Sequence, residues 1–347
     1  MSDVTWTPDP WLDRPRQSLL LDGRGSALAV ADPPGGVRVR PYRVSVVIPT
    51  RNRRDLLLEA IRSVQAIDGP DLDLEILVAD NGSTDGSQTA AAALGVRVLD
   101  APVPGPAATR NVGIEAATGD YIAFLDDDDL WLPEQLRGQL ALLDERPDFD
   151  ACFGQILPTD AEGTPLGDLY PTELPANGDV FEELLYQWPQ IGSLVIRASV
   201  RDTVGYLDEE LMTAEDWDWL LRIALRHRIG HVTVPGLMFR ARPIATTYED
   251  ETNRYRVSVD RQIFWRYVWR GRRRLSSFKR VLRAALRYAG VYAGYFIQSA
   301  ASHAAAGNRP MARRSLVLAA QISPLHVVVS VLRRPASIRW IAWTFLG

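Results

Sequence analysis

Four consecutive carboxylates, Asp126, Asp127, Asp128 and Asp129, follow an apolar run from Tyr121 to Leu125. The run reads as a short buried strand, so the acids sit at its C-terminal end, where open α/β sheets bind ligands. At ~6 Å and an effective dielectric of ~20, each neighbouring pair of charges repels by about 3 kcal/mol. A divalent cation would offset that repulsion. Hard oxygen ligands without His or Cys beside them favour Mg2+ or Mn2+ over zinc. The run suits a solvated acidic turn or a helix N-terminus as well, since negative charge is welcome there. A second acidic pair, Glu215 and Asp216, opens residues 213–224. Leu220, Leu221 and Ala224 follow, which predicts a helix whose N-terminus presents both acids; capping is their alternative use.

Strands and helices must position these groups. A β-branched strand is expected at 43–48 and a helix at 53–66, with Leu57, Ile61 and Val64 on one buried face. A second strand at 74–79 runs into Asp80 and a dense turn signal through Gly86. An Ala-rich helix stopped by Gly95, a strand at 96–99 and a helix at 109–117 lead to the strand that ends in the four acids. Pro133 is expected to open a helix with Leu136, Leu140 and Leu143 inward. Alternating strands and helices predict a parallel sheet. If the three strands with polar ends, Thr50–Asn52, Asp80–Asp85 and Asp126–Asp129, are adjacent, those ends form one crevice. No GxGxxG follows the first strand and no GxxxxGK[ST] occurs, which disfavours a dinucleotide fold or a P-loop NTPase. Beyond residue 150 strands are expected at 152–157 and 194–197, with a variable loop over 160–178.

The 347 residues carry a net charge of −4, unevenly spread. Residues 1–250 hold 21 Lys and Arg against 41 Asp and Glu, whereas residues 251–347 hold 18 against 2. Such a split suggests two regions with different partners. The single cysteine, Cys152, permits no intrachain disulfide and has the apolar setting of a core residue. No secretory signal pattern opens the chain. Residues 288–308 and 315–332 carry Gln, Ser, His or Pro, so buried or surface-lying helices are expected rather than membrane spans. These features together give a cytoplasmic expectation.

Five motifs occur in order: residues 44–52, the Asp80–Asp85 turn, Ala108-Thr109-Arg110-Asn111-Val112-Gly113, the run from Phe124 to Trp131, and Glu215-Asp216-Trp217. Together they resemble the family 2 glycosyltransferases of the GT-A fold, over roughly residues 43–242. The resemblance implies an α/β fold, GT-A-like, with a mostly parallel central sheet flanked by helices. Residues 1–40, rich in Pro, Gly and charge, read as an irregular leader outside that pattern, and the resemblance implies a glycosyltransferase domain over 41–250. The nucleotide-binding half of that domain would span 41–130 and its acceptor half 131–250. It also implies inverting transfer of a sugar from a nucleotide-diphosphate donor. Asp128 then matches a metal ligand and Asp126 a ligand of the metal or the donor ribose. Asp127 and Asp129 could share these roles, because a run of four leaves the register open. Asp80 matches the acid that recognises the base, and Thr50, Asn52 and Arg110 line the nucleotide pocket; a structural ion pair is the alternative for Arg110. Asp216 matches the general base, with Glu215 and Trp217 positioning it and the acceptor. The Gln-x-x-Arg-Trp motif of processive members is not found, which argues for single-sugar addition. The acceptor expected is a carbohydrate, glycolipid or protein at the cell surface. A non-catalytic nucleotide-sugar-binding or scaffold protein of the same fold is the competing class, and a nucleotidyltransferase a weaker one.

Residues 251–347 form a basic helical extension outside that resemblance. Phe264, Tyr267, Val268, Val281, Leu282, Ala285 and Leu286 give it apolar helical spacing, set among Arg272, Arg273, Arg274, Lys279, Arg280, Arg283 and Arg287. The charged face is solvated, pairs with the acidic front of the chain, or meets anionic lipid at the inner face of the membrane. Basic helices alone are weak grounds for nucleic-acid binding.

Overall fold

A computed structural model describes residues 40–67, 69–171, 174–241, 251–275, 277–324 and 327–328. The leader expected at 1–40 lies outside them except for Arg40. So does the boundary placed at residue 250, which falls within 242–250.

Among the described residues the chain runs β1 (Tyr42–Thr50), α1 (Arg54–Gln65), β2 (Leu72–Asp80), α2 (Ser87–Ala92), β3 (Arg97–Asp100), α3 (Pro106–Ala116), β4 (Tyr121–Phe124), β5 (Leu130–Trp131), α4 (Arg137–Glu145), β6 (Ala151–Thr159), α5 (Phe181–Leu184), β7 (Leu194–Arg197), α6 (Ser199–Val204), α7 (Glu215–Arg226) and β8 (Ile229–Arg240). Three helices follow, α8 (Glu251–Arg270), α9 (Phe278–Ala305) and α10 (Arg309–Ile322). The strands form one sheet in the order β3-β2-β1-β4-β7-β6-β8-β5. The pairs β1/β2, β1/β4, β2/β3 and β6/β8 are parallel, while β7 and β5 run against their neighbours.

The adjacency needed for a single crevice is present, because β1 lies between β2 and β4. In register Thr50 faces Asp80 and Val47 faces Phe124, so all three polar ends emerge at one edge of the sheet. Strand order turns about β1, which is where open α/β sheets place their ligands. These strands are apolar on both faces; Val44, Val46, Val47 and Ile48 are all fully buried because helices cover the sheet on both sides. Helix α1 buries Leu57, Ala60, Ile61 and Val64, the face its spacing predicts. Helix α3 comes so close to β1 that a Cβ on Gly113 would lie 2.3 Å from Val47 Cγ1.

One detail differs from the expectation. The helix foreseen from Pro133 begins at Arg137. The Leu132 N–H donates to Gly236 O at 2.8 Å and the Gln135 N–H to Leu132 O at 3.0 Å. The chain there is thus tied to β8 in a turn before it can coil. Leu136, Leu140 and Leu143 are nevertheless fully buried. In α9, Leu282 and Leu286 face outward, 44% and 49% exposed, while Ala284 and Tyr288 face the core.

The extension does not stand apart from the front of the chain. Val259, Ile263, Phe264, Tyr267, Ala284 and Tyr288 belong to the same apolar cluster as Phe181, Leu184, Trp217 and Trp219. Its arginines meet front-half acids: Arg274–Asp179 at 2.7 Å, Arg280–Glu182 at 2.5 Å and Arg283–Glu182 at 3.4 Å. The chain turns at Gly271, where a Cβ would overlap the Phe181 ring at 2.1 Å. Among the described residues no helix is long and apolar enough to cross a membrane.

Candidate active site

The four acids alternate. Asp127 and Asp129 are 5% and 1% exposed, whereas Asp126 and Asp128 are half-buried at the crevice. The inward pair is consumed by the fold. Asp127 accepts from Thr50 Oγ1 at 2.8 Å and from an Arg53 nitrogen at 2.8 Å. Asp129 accepts from the Arg240 N–H at 2.9 Å, which joins the turn to the end of β8. Burial raises the pKa of both carboxyls, Asp129 more than Asp127, where Arg53 and Thr50 pull it back. Asp128 pairs with Arg53 at 3.0 Å and Asp126 with Arg110 at 2.6 Å.

Arg110 is the joint of the site. It projects from α3, itself fixed by Asn111, whose side chain donates to Leu207 O at 3.0 Å and accepts from the Leu207 N–H at 2.9 Å. One guanidinium nitrogen reaches Asp126; the other donates to Glu215 at 2.7 Å. Burial works against the Arg110 charge, but Asp126, Glu215 and Asp216 outweigh it and hold the pKa above its usual value. Burial and the neighbouring Asp216 raise the Glu215 pKa, and the Arg110 charge offsets only part of that rise.

The expected helix over 213–224 forms as α7 and starts at Glu215. Ala214 before it has φ 57° and ψ 22°, a left-handed conformation uncommon outside glycine that costs on the order of 1–3 kcal/mol. Such a kink aims the first turn. Asp216 is half-buried, accepts from the Trp217 N–H at 2.7 Å and lines a cavity of about 360 Å3 beside Trp188, Trp217 and Asp260. Trp217 is 3% exposed and fixed by its Nε1 donating to Leu184 O at 2.6 Å. Asp218 turns away and is taken up by Arg222 and Tyr267, at 2.9 and 2.8 Å.

Asp80 is fully buried at the end of β2. Its Oδ2 accepts from the Ser83 N–H at 2.9 Å and from Gln88 at 2.7 Å, while Oδ1 has no hydrogen-bond partner. An unpaired buried acceptor is costly, and a ligand N–H would satisfy it. Asn52, with φ 52°, braces the same loop by accepting from the Thr84 N–H at 2.7 Å. Among the described residues no three His, Cys, Asp or Glu side chains are arranged to hold a metal ion. Asp126 and Asp128 still suit Mg2+ or Mn2+, since such ions commonly take one or two carboxylates and complete their shell with substrate phosphates and water.

Arg53, which neutralises Asp127 and Asp128, was not singled out from the sequence. Its signal was its place directly after Asn52, at the end of the first strand. Trp188 and Asp260 were missed as well. Asp260 had a legible signal, as one of only two acids in residues 251–347.

Residues 45–183 match the sequence profile described as Glycosyl transferase family 2. An uncharacterized glycosyltransferase of Rickettsia felis is 28% identical over 221 residues, 62% of this chain and 36% of that protein. A Campylobacter jejuni protein, GalNAc(5)-diNAcBac-PP-undecaprenol beta-1,3-glucosyltransferase, is 36% identical over 110 residues, 29% of this chain and 33% of that protein. The chain therefore spans about a third of the length of these curated relatives. The crystal structure of S. aureus TarS 1–349 in complex with UDP-GlcNAc is similar at a TM-score of 0.52 and 20% identity, over 79% of this chain and 90% of that one. That likeness is one of fold, the GT-A arrangement.

Proposed function

We propose that the chain, whose residues 45–183 match the glycosyl transferase family 2 profile, is a member of that family and moves a single sugar from a nucleotide-diphosphate sugar to an acceptor hydroxyl, with inversion. One observation carries this reading: Arg110 joins Asp126, at the donor crevice, to Glu215, whose neighbour Asp216 lines a cavity on the other side.

In this reading the base of the nucleotide donates an N–H to the unpartnered Asp80 oxygen, with Thr50 and Asn52 shaping the pocket around it. Asp126 and Asp128 hold Mg2+ or Mn2+, with Asp126 also within the donor's reach and Asp127 bracing the pair from behind. When bound, the cation supplies positive charge where the leaving diphosphate gains negative charge. Asp216 takes the proton of the acceptor hydroxyl as its oxygen bonds to the anomeric carbon. The bond from that carbon to the diphosphate oxygen breaks on the opposite face, and the diphosphate leaves with the electron pair. Attack opposite the leaving group inverts the anomeric centre. A base outside the cation's ligand set suits this step, because a carboxylate bound to a cation is a poor proton acceptor. Glu215 fixes the start of α7, and Trp217 walls the acceptor side.

The acceptor is a carbohydrate, glycolipid or protein of the cell envelope. The Campylobacter relative named for an undecaprenol-linked glycan supports a lipid-linked saccharide, met at the inner face of the membrane from the cytoplasmic side. Thermal shift of the purified protein against a panel of nucleotide sugars, with and without Mn2+, tests the donor half of the reading. The expected result is stabilisation by one nucleotide sugar, larger with the cation. No stabilisation by any of them, together with no nucleoside diphosphate released in the presence of acceptor, overturns it.

A further inference from the structure

The cavity beside Asp216 is built from two distant parts of the chain. The front half supplies Tyr170, Trp188, Gln190 and Trp217; the basic extension supplies Arg256 and Asp260 from α8 and Val291, Tyr292 and Tyr295 from α9. Its walls are braced by aromatic contacts across that divide, with Trp188 and Tyr292 rings at 5.4 Å and Trp217 and Tyr288 stacked at 6.3 Å. Its volume of about 360 Å3 lies within the range of small-molecule sites, about 300–1,000 Å3.

Two polar atoms of this cavity's lining are left without partners. Asp260 is 2% exposed; its Oδ2 accepts from Tyr292 and lies 3.8 Å from Arg256, while Oδ1 accepts nothing. The buried indole N–H of Trp188 likewise donates to nothing. Buried polar groups are nearly always satisfied, and each exception calls for an explanation. An unmet acceptor and an unmet donor in one aromatic-walled cavity match adjacent hydroxyls of a sugar ring. The ring's C–H face would lie against aromatic carbon. Asp216 and Asp260 give the lining two carboxylates against one guanidinium, that of Arg256, so an acidic sugar is disfavoured.

We propose that this cavity is the acceptor subsite, that it binds a neutral glycoside ring, and that Asp260 and Trp188 of its lining select that ring by its hydroxyls. The proposal rests on the glycosyl-transfer reading above. It makes the extension part of the substrate site and Asp260 a specificity-determining residue.

The test uses the full chain and measures two affinities separately. Binding of p-nitrophenyl hexosides, N-acetylhexosaminides and a glucuronide is read by saturation-transfer NMR; binding of UDP and GDP is read by calorimetry. The expected result is that a neutral glycoside binds and the glucuronide does not. Asp260→Asn should weaken the glycoside at least ~10-fold, as for loss of a hydrogen bond to a charged group. Val291→Trp, which fills the cavity from α9, should abolish glycoside binding. Both variants should keep the wild-type affinity for the nucleotide, which also shows that they fold. If the nucleotide binds but no neutral glycoside does, or if both variants bind the glycoside like wild type, the proposal is overturned. If a glycoside binds as expected but neither nucleotide does, the cavity stands and the transfer reading falls.

Discussion

Arg110 and Glu215 are 105 positions apart in sequence and meet at 2.7 Å, both side chains only 8% exposed. The pair ties helix α3 of the donor crevice to the first residue of the helix that carries Asp216. Arg110→Met removes the cation and leaves Glu215 and Asp126 without it. Breaking a buried pair by deleting one partner costs roughly 3–5 kcal/mol, and urea unfolding should show a loss of that order. A loss under 1 kcal/mol would mean that the pair is relieved by solvent rather than holding α7 in place.

Asp216→Asn keeps the shape of the side chain and its contact with the Trp217 N–H but cannot accept a proton in the same way. General-base assistance is worth ~10²–10⁴-fold, so the transfer rate should fall at least ~10²-fold with nucleotide affinity near wild type. Near-normal transfer would remove Asp216 from the chemistry, and lost nucleotide affinity would make it structural.

The alternation of the acidic run predicts two different phenotypes. Asp128→Ala should abolish transfer and its divalent-cation dependence while leaving the protein folded. Asp129→Ala should instead lower stability, by about 1–3 kcal/mol for the buried Arg240 N–H left unpaired. Full activity of the wild type in excess chelator would refute the cation assignment, and equal stability of the two variants would refute the division of labour.

Asp260 should leave a mark on pH stability. Burial outweighs the opposing Tyr292 hydrogen bond and the Arg256 charge and pushes its pKa up to about 6, with Asp216 adding to the rise. The folded state therefore holds this proton more tightly than the unfolded chain, whose Asp titrates near 3.9. The contribution is greatest below about pH 4, falls as pH rises to about 6, and is constant above. Between pH 4 and pH 7 the wild type should lose on the order of 2–3 kcal/mol more than Asp260→Asn. Parallel pH profiles for the two proteins would rule this out.

On α9, Phe278, Leu282 and Leu286 are exposed at four-residue spacing, Phe278 by 79%. Lys279, Arg272 and Arg273 are also exposed, and no Asp or Glu occurs after Asp260. Binding to phosphatidylserine-containing vesicles is expected at low salt and should weaken as salt screens the arginines. Phe278→Asp with Leu282→Asp should abolish it. Failure of the wild type to sediment with such vesicles would leave the stripe without a lipid role.

Much of the donor side was legible in the sequence because it is local. Each polar loop directly follows its own strand, and β-branched runs such as 44–48 announce a sheet buried on both faces. The alternation within Asp126–Asp129 was not legible, since it depends on Thr50, Arg53 and the Arg240 N–H, all distant in sequence. The helix start at Arg137 was misplaced because a strand pairing to Gly236 outweighs the helix signal of Pro133. The outward face of α9 was not legible for a related reason. Its apolar residues line two sides of the helix, and only the position of Trp217, Trp188 and Phe264 decides which side is core. Asp260 and Trp188 line one cavity through packing of segments about seventy residues apart, for which no local pattern exists.

The shared core has a consequence for how the protein is made. Trp217 lies nearly flat against Tyr288, their ring centres 6.3 Å apart, and Phe181 is closed over by the turn at Gly271. On a ribosome the sheet and α7 emerge well before α9. At ~5–20 residues per second, the interval from Trp217 to Tyr288 lasts on the order of 4–14 s. Throughout that time the nascent chain carries uncovered aromatic surface on an acidic front half, with its basic complement still unmade.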